Sequence, residues 1–220
     1  MNHFDFVRPS TRALWTFDEE NGNDSGPFGY DLTSGYLDYG LGRFGPYCGY
    51  FDGNNYLRST TNFSQLGLTQ LTATFWMKSN YAAEQYIFGN VYTGYGNAYG
   101  YNFGTTSSKQ LFFETFPGDG YNYRLTGGSV VIDNTWKWIV ITRGSSYTKF
   151  YVNGKLDYTA GNTAIGFNGS EITCVGAWWY IYYGKPYDYY IGFLDNLHIY
   201  NIVLSDDTIR HMYAFQMGWL

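Results

Sequence analysis

The run from Trp136 to Leu156 restricts the fold more than any other part of the chain. Two strand-like segments flank a polar break at Gly144, Ser145 and Ser146, and a second break, Asn153-Gly154, follows at once. Trp138, Val140 and Thr142 fall on one face of the first segment and Phe150 and Val152 on one face of the second, the two-residue period of strands with one side in a core. Asn153-Gly154 suits a type I′ turn, because both central positions need positive φ, which Asn tolerates and Gly adopts freely. A β-hairpin is expected here, with a third strand directly after it.

The rest of the chain repeats this texture. Strand-like runs fall at Tyr30 to Tyr39, Tyr47 to Phe51, Leu71 to Lys78, Leu111 to Phe116, Tyr121 to Leu125 and Glu171 to Ala177, separated by clusters of turn formers such as Asn21 to Gly29 and Pro117-Gly118-Asp119-Gly120. The Gly- and Tyr-rich region from Asn80 to Phe103 places Tyr every two to four residues with Gly between, which suits strands and tight turns better than disorder. One helix is expected, from Ser205 to Tyr213: Ser205 can cap it, Asp206 and Asp207 suit the positive end of its dipole, and Ile209, Met212 and Tyr213 share a face. About a dozen short β runs with almost no helix indicate an all-β fold, a two-sheet antiparallel sandwich. A chain of 220 residues fits one such unit. Residues 1–12 read as an N-terminal arm, a candidate subunit contact, and 13–220 as a single domain.

Several stretches carry a family resemblance. The Trp138 strand with Phe150-Tyr-Val-Asn-Gly-Lys155 is similar to the central hairpin of laminin-G-like, concanavalin A-like jelly-roll domains. Leu14-Trp-Thr-Phe-Asp-Glu19 resembles the opening strand of that family, Phe51-Asp-Gly-Asn-Asn-Tyr-Leu57 its Phe-Asp-Gly turn, Leu71 to Lys78 the strand before its variable loops, and Ile191 to Asn201 its closing strand. The resemblance runs from Ala13 to Tyr213 with the motifs in the family's order, and it implies a jelly-roll sandwich.

Composition excludes some functions. Charged residues make up 14% of the chain, against about 25% in ordinary soluble proteins, so the surface has to be built from Tyr, Asn, Ser, Thr and Gly. A net charge of -5 with scattered Lys and Arg argues against a nucleic-acid partner. No apolar run approaches the ~18 residues needed to cross a bilayer, so membrane insertion is not expected, and the first residues lack a signal-peptide pattern. The expected location is extracellular or on a virion, reached by a route this sequence does not display. Cys48 and Cys174 sit in strand-like runs; two buried free thiols are the leading reading and a disulfide the alternative.

Catalysis has little support. Glucanases of the resembled fold carry Glu-x-Asp-x-x-Glu on one strand, and that motif is absent here. None of Glu19, Glu20, Glu84, Glu114 and Glu171 has a second carboxylate two or four positions away on a strand-like run, which leaves only a pair assembled from distant strands. His198, on the closing strand, reads as a packed or hydrogen-bonded residue. The resemblance also implies a structural Ca²⁺ near Asp24, Asp195 and Asn196, since the ion takes hard oxygen ligands. Pro27 stands where the family has Asn, and Asn196 where it has an acidic residue, so a weak or absent calcium site is expected.

The most unusual segment runs from Trp178 to Tyr190, with eight aromatics in thirteen residues around Gly184-Lys185-Pro186. Alternation in a hairpin cannot bury all of these rings, and an exposed aromatic patch marks a binding surface. Trp178, Trp179, Tyr182, Tyr183, Lys185, Tyr187 and Asp188 are therefore the candidate ligand-binding residues: rings to stack on a sugar face, polar groups to bond its hydroxyls. The loops at Tyr92 to Tyr101 and Tyr121 to Tyr123 are candidates to join them. Taken together, the sequence suggests a non-catalytic recognition or adhesion module for a glycan or polysaccharide surface. The alternative is a structural or decoration protein of a virion or other assembly, with Tyr-rich faces as self-association or subunit contacts.

Overall fold

The computed structural model describes residues 10–94 and 96–219. Residues 1–9 of the expected arm and Tyr95 of the Tyr-rich region lie outside them. The strands are β1 (Thr11–Trp15), β2 (Ser34–Tyr36), β3 (Asp38–Leu41), β4 (Tyr47–Asp52), β5 (Tyr56–Arg58) and β6 (Leu71–Lys78). They continue with β7 (Gln85–Thr93), β8 (Ala98–Thr105), β9 (Gln110–Pro117), β10 (Tyr123–Val130), β11 (Lys137–Arg143) and β12 (Tyr147–Val152). The last are β13 (Lys155–Gly161), β14 (Ile172–Val175), β15 (Trp178–Tyr180), β16 (Lys185–Tyr187) and β17 (Ile191–Tyr200), followed by one helix, α1 (Asp206–Gln216).

Two antiparallel sheets stack as a jelly-roll sandwich. One runs β13-β12-β11-β6-β17-β4-β3 with β1 beside β17, and the other runs β10-β9-β8-β7-β14-β5-β2. Between them lies the main core, which includes Trp15, Phe51, Phe75, Phe88, Tyr101, Phe103, Phe113, Ile139, Ile141 and Phe150. The central hairpin forms as expected: Ile141 pairs with Phe150, and Asn153 and Gly154 take φ of 52° and 74° in the turn that leads to β13.

One expectation for that hairpin is corrected. Trp138 and Val140 were placed on a strand with one buried side, but β11 is buried on both. Ile139 and Ile141 enter the main core, while Trp138 and Val140 join Trp76, Tyr151, Tyr200, Leu204, Ile209 and Met212 in a second cluster. The cause is α1, whose buried residues Ile209 and Met212 cover the outer face of this sheet. Its start is as read from the sequence: Ser205 is the N-cap, with Oγ accepting from Thr208 N at 3.1 Å, and Asp206 and Asp207 fill the first turn.

The closing strand β17 changes partners midway. Ile191 to Leu194 pair with β4, Leu197 to Tyr200 pair with β1, and the ladder to β6 is interrupted between Asp195 and His198, where Asn196 has φ of 51°. At that fork the fully buried Asp195 supplies acceptors the ladder has lost, with Oδ2 taking Arg43 N at 2.6 Å and Phe44 N at 3.0 Å. Burial pushes its pKa up to about 6. His198 donates to or accepts from Thr11 Oγ1 at 2.8 Å and stacks on Tyr200, and burial pushes its pKa down to about 3, so the packed reading holds. Cys48 and Cys174 are buried free thiols in β4 and β14, on different sheets, with pKa pushed up by burial to about 11 and about 12.

Candidate functional site

The outer face of the second sheet can be derived from its register. Gly89, Asn102, Glu114 and Arg124 oppose one another across β7, β8, β9 and β10, and so share a face. Because alternate residues point to opposite sides, Phe112, Glu114 and Phe116 on β9 and Gly100, Asn102 and Gly104 on β8 lie on that same outer face. Phe103, Phe113 and Tyr101 turn inward to the core. Glycines thus flank Asn102 along its strand and face it from β7, leaving a trough without side chains. Gly100 has φ of 111°, and an added Cβ there would meet the Asn90 carbonyl, so its glycine is required by the backbone.

A short hairpin roofs this trough. β15 and β16 pair with each other, Trp178 opposite Tyr187, around a turn at Ile181–Tyr183 that Gly184 closes in the left-handed conformation. Tyr190 N donates to Gly176 O at 2.8 Å at its base, and Ile181 N to Thr93 Oγ1 at 2.7 Å near its tip. Trp178 stacks on Tyr86 at 5.1 Å and on Phe116 at 6.3 Å, which lie on either side of the Asn102–Glu114 row. It therefore spans that row.

The polar groups below are partly paired and partly not. Arg124 bridges Glu84 at 2.7 Å and the buried Glu114 at 3.1 Å. Glu114 also accepts from Asn122 Nδ2 at 2.6 Å and from Tyr86 Oη at 3.4 Å. Asn102, fully buried, has no hydrogen-bond partner for either amide atom among the described residues, and neither does Trp178 Nε1. Glu84 and Glu114 form the pair of distant carboxylates that sequence spacing could not reveal. Arg124, however, holds the Glu84 carboxyl below its usual range, whereas a general acid needs its pKa raised. The arrangement is that of an ion network bracing β9 and β10.

The seven residues expected to bind ligand divide into three groups. Tyr182, Tyr183, Lys185 and Asp188 are exposed, the two rings by 54% and 60%, so part of the aromatic surplus does face outward. Trp178 and Tyr187 are half-buried; Tyr187 packs against Tyr180 and lies under Lys185 Nζ at 4.9 Å. Trp179 turns to the other side of the hairpin, under the Arg58 guanidinium at 4.2 Å and against Tyr56. Burial, then the charge of Glu84, raises the Asp188 carboxyl, and the Asp188 carbonyl accepts from Tyr86 N. Of the remaining rings in the segment, Tyr190 is sealed in the core and Tyr189 packs on Tyr56.

Between the hairpin and two neighbouring turns lies a cleft of about 290 Å³. Trp178 and Tyr180 form one wall, Thr93, Asn97 and Ala98 at the β7–β8 end another, and Phe116 of β9 with Tyr121 and Asn122 of the β9–β10 turn a third. Among the described residues no charged side chain lines it. Tyr180, Asn97 and Asn122 were not among the expected site residues, although the loops carrying Asn97 and Tyr121 were named as candidates; their Gly-Asn-Tyr texture was the available signal.

The calcium expectation meets unfavourable geometry. Asp24 turns Oδ1 to the backbone N–H groups of Leu14 and Gly26, both at 2.7 Å, and Oδ2 to that of Tyr30 at 2.8 Å. Asp195 is committed to Arg43, Phe44 and the Asn196 amide. Among the described residues no three acidic, His or Cys side chains gather as a metal site. As placed, each carboxylate oxygen of Asp24 and Asp195 already accepts from at least one N–H donor.

The fold is shared with solved structures of low identity. Domain 4 of the extracellular GH43 arabinanase AbnA from Geobacillus stearothermophilus, in complex with arabinotriose, matches with a TM-score of 0.68 at 19% identity, over 93% of this chain and 98% of that one. A botulinum neurotoxin type C structure, described by dependence of cell entry on two ganglioside molecules, matches with a TM-score of 0.73 at 14% identity, over 97% of this chain. The binding domain of botulinum neurotoxin DC in complex with SialylT matches at 0.70 and 14%, over 96%. This chain spans about half the length of those toxin chains, 53% and 52%. No curated protein matches the sequence. The family model Laminin_G_3 matches residues 51–210, from the Phe-Asp-Gly turn to α1, and the chain belongs to the family that model describes, the concanavalin A-like lectin/glucanases superfamily.

Proposed function

We propose that this protein is a non-catalytic glycan-binding module that takes a neutral oligosaccharide in the cleft between the Trp178–Tyr187 hairpin and the β7–β8 and β9–β10 turns. The observation that carries this reading is the convergence of three separate segments on one cleft lined by rings and amides and, among the described residues, by no charged side chain. Trp178, Tyr180, Phe116 and Tyr121 offer apolar faces for the C–H side of a sugar, and Asn97, Asn122 and Thr93 offer groups for its hydroxyls. Trp178, which lines the cleft, has no hydrogen-bond partner for Nε1 among the described residues, and a polar group of that kind calls for one. The similar arabinanase domain is in complex with a neutral trisaccharide, and the similar toxin structures concern gangliosides and SialylT; the uncharged cleft favours the neutral class. An extracellular setting accords with that choice of ligand.

A glycan array carrying arabino-oligosaccharides, other neutral oligosaccharides and sialylated glycans tests the proposal. Neutral oligosaccharides are expected to bind, with binding lost in Tyr180→Ala and Asn122→Ala. A blank array together with an obligate oligomer in light scattering would instead favour the assembly reading.

A further inference from the structure

We propose a second binding site, on the opposite side of the sandwich, that takes a small aromatic carboxylate in the cavity beneath α1. The cavity measures about 320 Å³, ten times a water's share of liquid volume and within the range of small-molecule sites. Its walls include Leu14, Phe44, Trp76, Trp138 and Met212. Apolar walls of this kind hold water poorly, and their three rings favour a flat aromatic body.

Charge identifies the other end of the ligand. The Arg43 guanidinium lies over two wall rings, Phe44 at 5.0 Å and Trp76 at 4.9 Å. Among the described residues it has no carboxylate in ion-pair reach; its one side-chain hydrogen bond goes to Met217 Sδ at 3.5 Å. Among the described residues no acidic side chain lines the cavity. Asp195, close by, faces the Arg43 and Phe44 backbone N–H groups. Gln216 receives Trp76 Nε1 on its oxygen at 2.7 Å, which leaves its amide nitrogen as a donor at the cavity wall. An uncompensated guanidinium and an amide donor beside an apolar, ring-lined chamber suit a carboxylate attached to an aromatic body. His198, also in the wall, is held neutral and adds no second charge.

The test uses the full-length protein with 1-naphthoate as probe and its neutral analogue 1-naphthamide, followed by calorimetry and by quenching of tryptophan fluorescence. Naphthoate is expected to bind one to one and more tightly than the amide. Arg43→Gln should weaken naphthoate about tenfold while leaving naphthamide unchanged, since a charge-assisted contact is lost and the apolar ones remain. Thr74→Met, which fills the cavity from its floor, should abolish both. No naphthoate binding at millimolar concentration, or binding indifferent to Arg43→Gln and Thr74→Met, overturns the proposal. Oligosaccharide binding in the distant cleft should be unaffected by either cavity variant.

Discussion

The two sheets are roofed in different ways. Over the first, α1 lays Ile209 and Met212 on Trp76, Trp138 and Val140, and the ring faces it covers are hidden from solvent. Over the second, the Trp178–Tyr187 hairpin lies on a glycine-floored trough that holds a paired ion network and an amide without a partner among the described residues. A helix with an apolar stripe can seal a sheet, because apolar groups ask only to leave water. A short hairpin whose four tyrosines, Tyr180, Tyr182, Tyr183 and Tyr187, pack on one another leaves polar atoms below it and rings above it. The first roof buries rings and encloses a chamber among them, whereas the second leaves polar groups beneath it and rings facing out.

The largest test of that contrast exchanges the same residue on each side. Trp138→Ala should lower stability by about 3–5 kcal/mol in chemical denaturation, the cost of emptying a packed site. Trp178→Ala should cost less than half of that, because the ring is only half-buried and its Nε1 has no partner to lose. Equal losses would show that the hairpin is structural in the same sense as the helix.

A second test uses two titrating residues of β17 behind the first roof. Folded Asp195 keeps its proton up to about pH 6, while an unfolded Asp releases it near 4. Its stabilising contribution is therefore full below about pH 4 and is lost as pH rises to 6. Folded His198 refuses a proton down to about pH 3, while an unfolded His takes one up below about 6.5. Its contribution is present above that pH and is lost as pH falls. Between pH 4 and 6 the two slopes oppose each other. In His198→Gln, stability should rise by about 2 kcal/mol as pH falls from 6 to 4; in Asp195→Asn it should fall across the same window. Parallel profiles for the two variants would refute these environments.

Smaller effects sharpen the picture. Ser205→Ala removes the cap on the helical roof and should cost about 1 kcal/mol, read as a lower urea midpoint. Calcium should matter least, since Asp24 and Asp195 are already committed to backbone N–H groups. The thermal midpoint is expected to be the same in millimolar Ca²⁺ and in chelator, and a rise with Ca²⁺ would show that those carboxylates can turn to a cation.

Much of the scaffold was legible because it rests on local signals. Asn153-Gly154 required a tight turn, and Ser205 with two acidic residues after it marked a helix start. The double burial of Trp138 was not legible: whether a helix docks on the far side of β11 depends on where residues 206–216 fall in space. The site was partly legible. Ring density pointed to the hairpin that carries Trp178, but density could not show that Tyr187 stays out of the cleft, that Trp179 turns away to Arg58 or that Tyr190 is sealed. Asn122 and Asn97 become wall residues only because the β9–β10 and β7–β8 turns fold to the same end of the sheet as the hairpin.

The central claim is that the surplus rings and the uncharged cleft beside them hold a neutral sugar. Calorimetric titration of the natural protein and of Tyr180→Ala with the neutral oligosaccharide that gives the strongest array signal tests it most directly. Saturable one-to-one binding that weakens at least tenfold in the variant, with the denaturation midpoint held, is the expected result. Affinity unchanged in Tyr180→Ala, or no heat from any neutral oligosaccharide, would contradict the account.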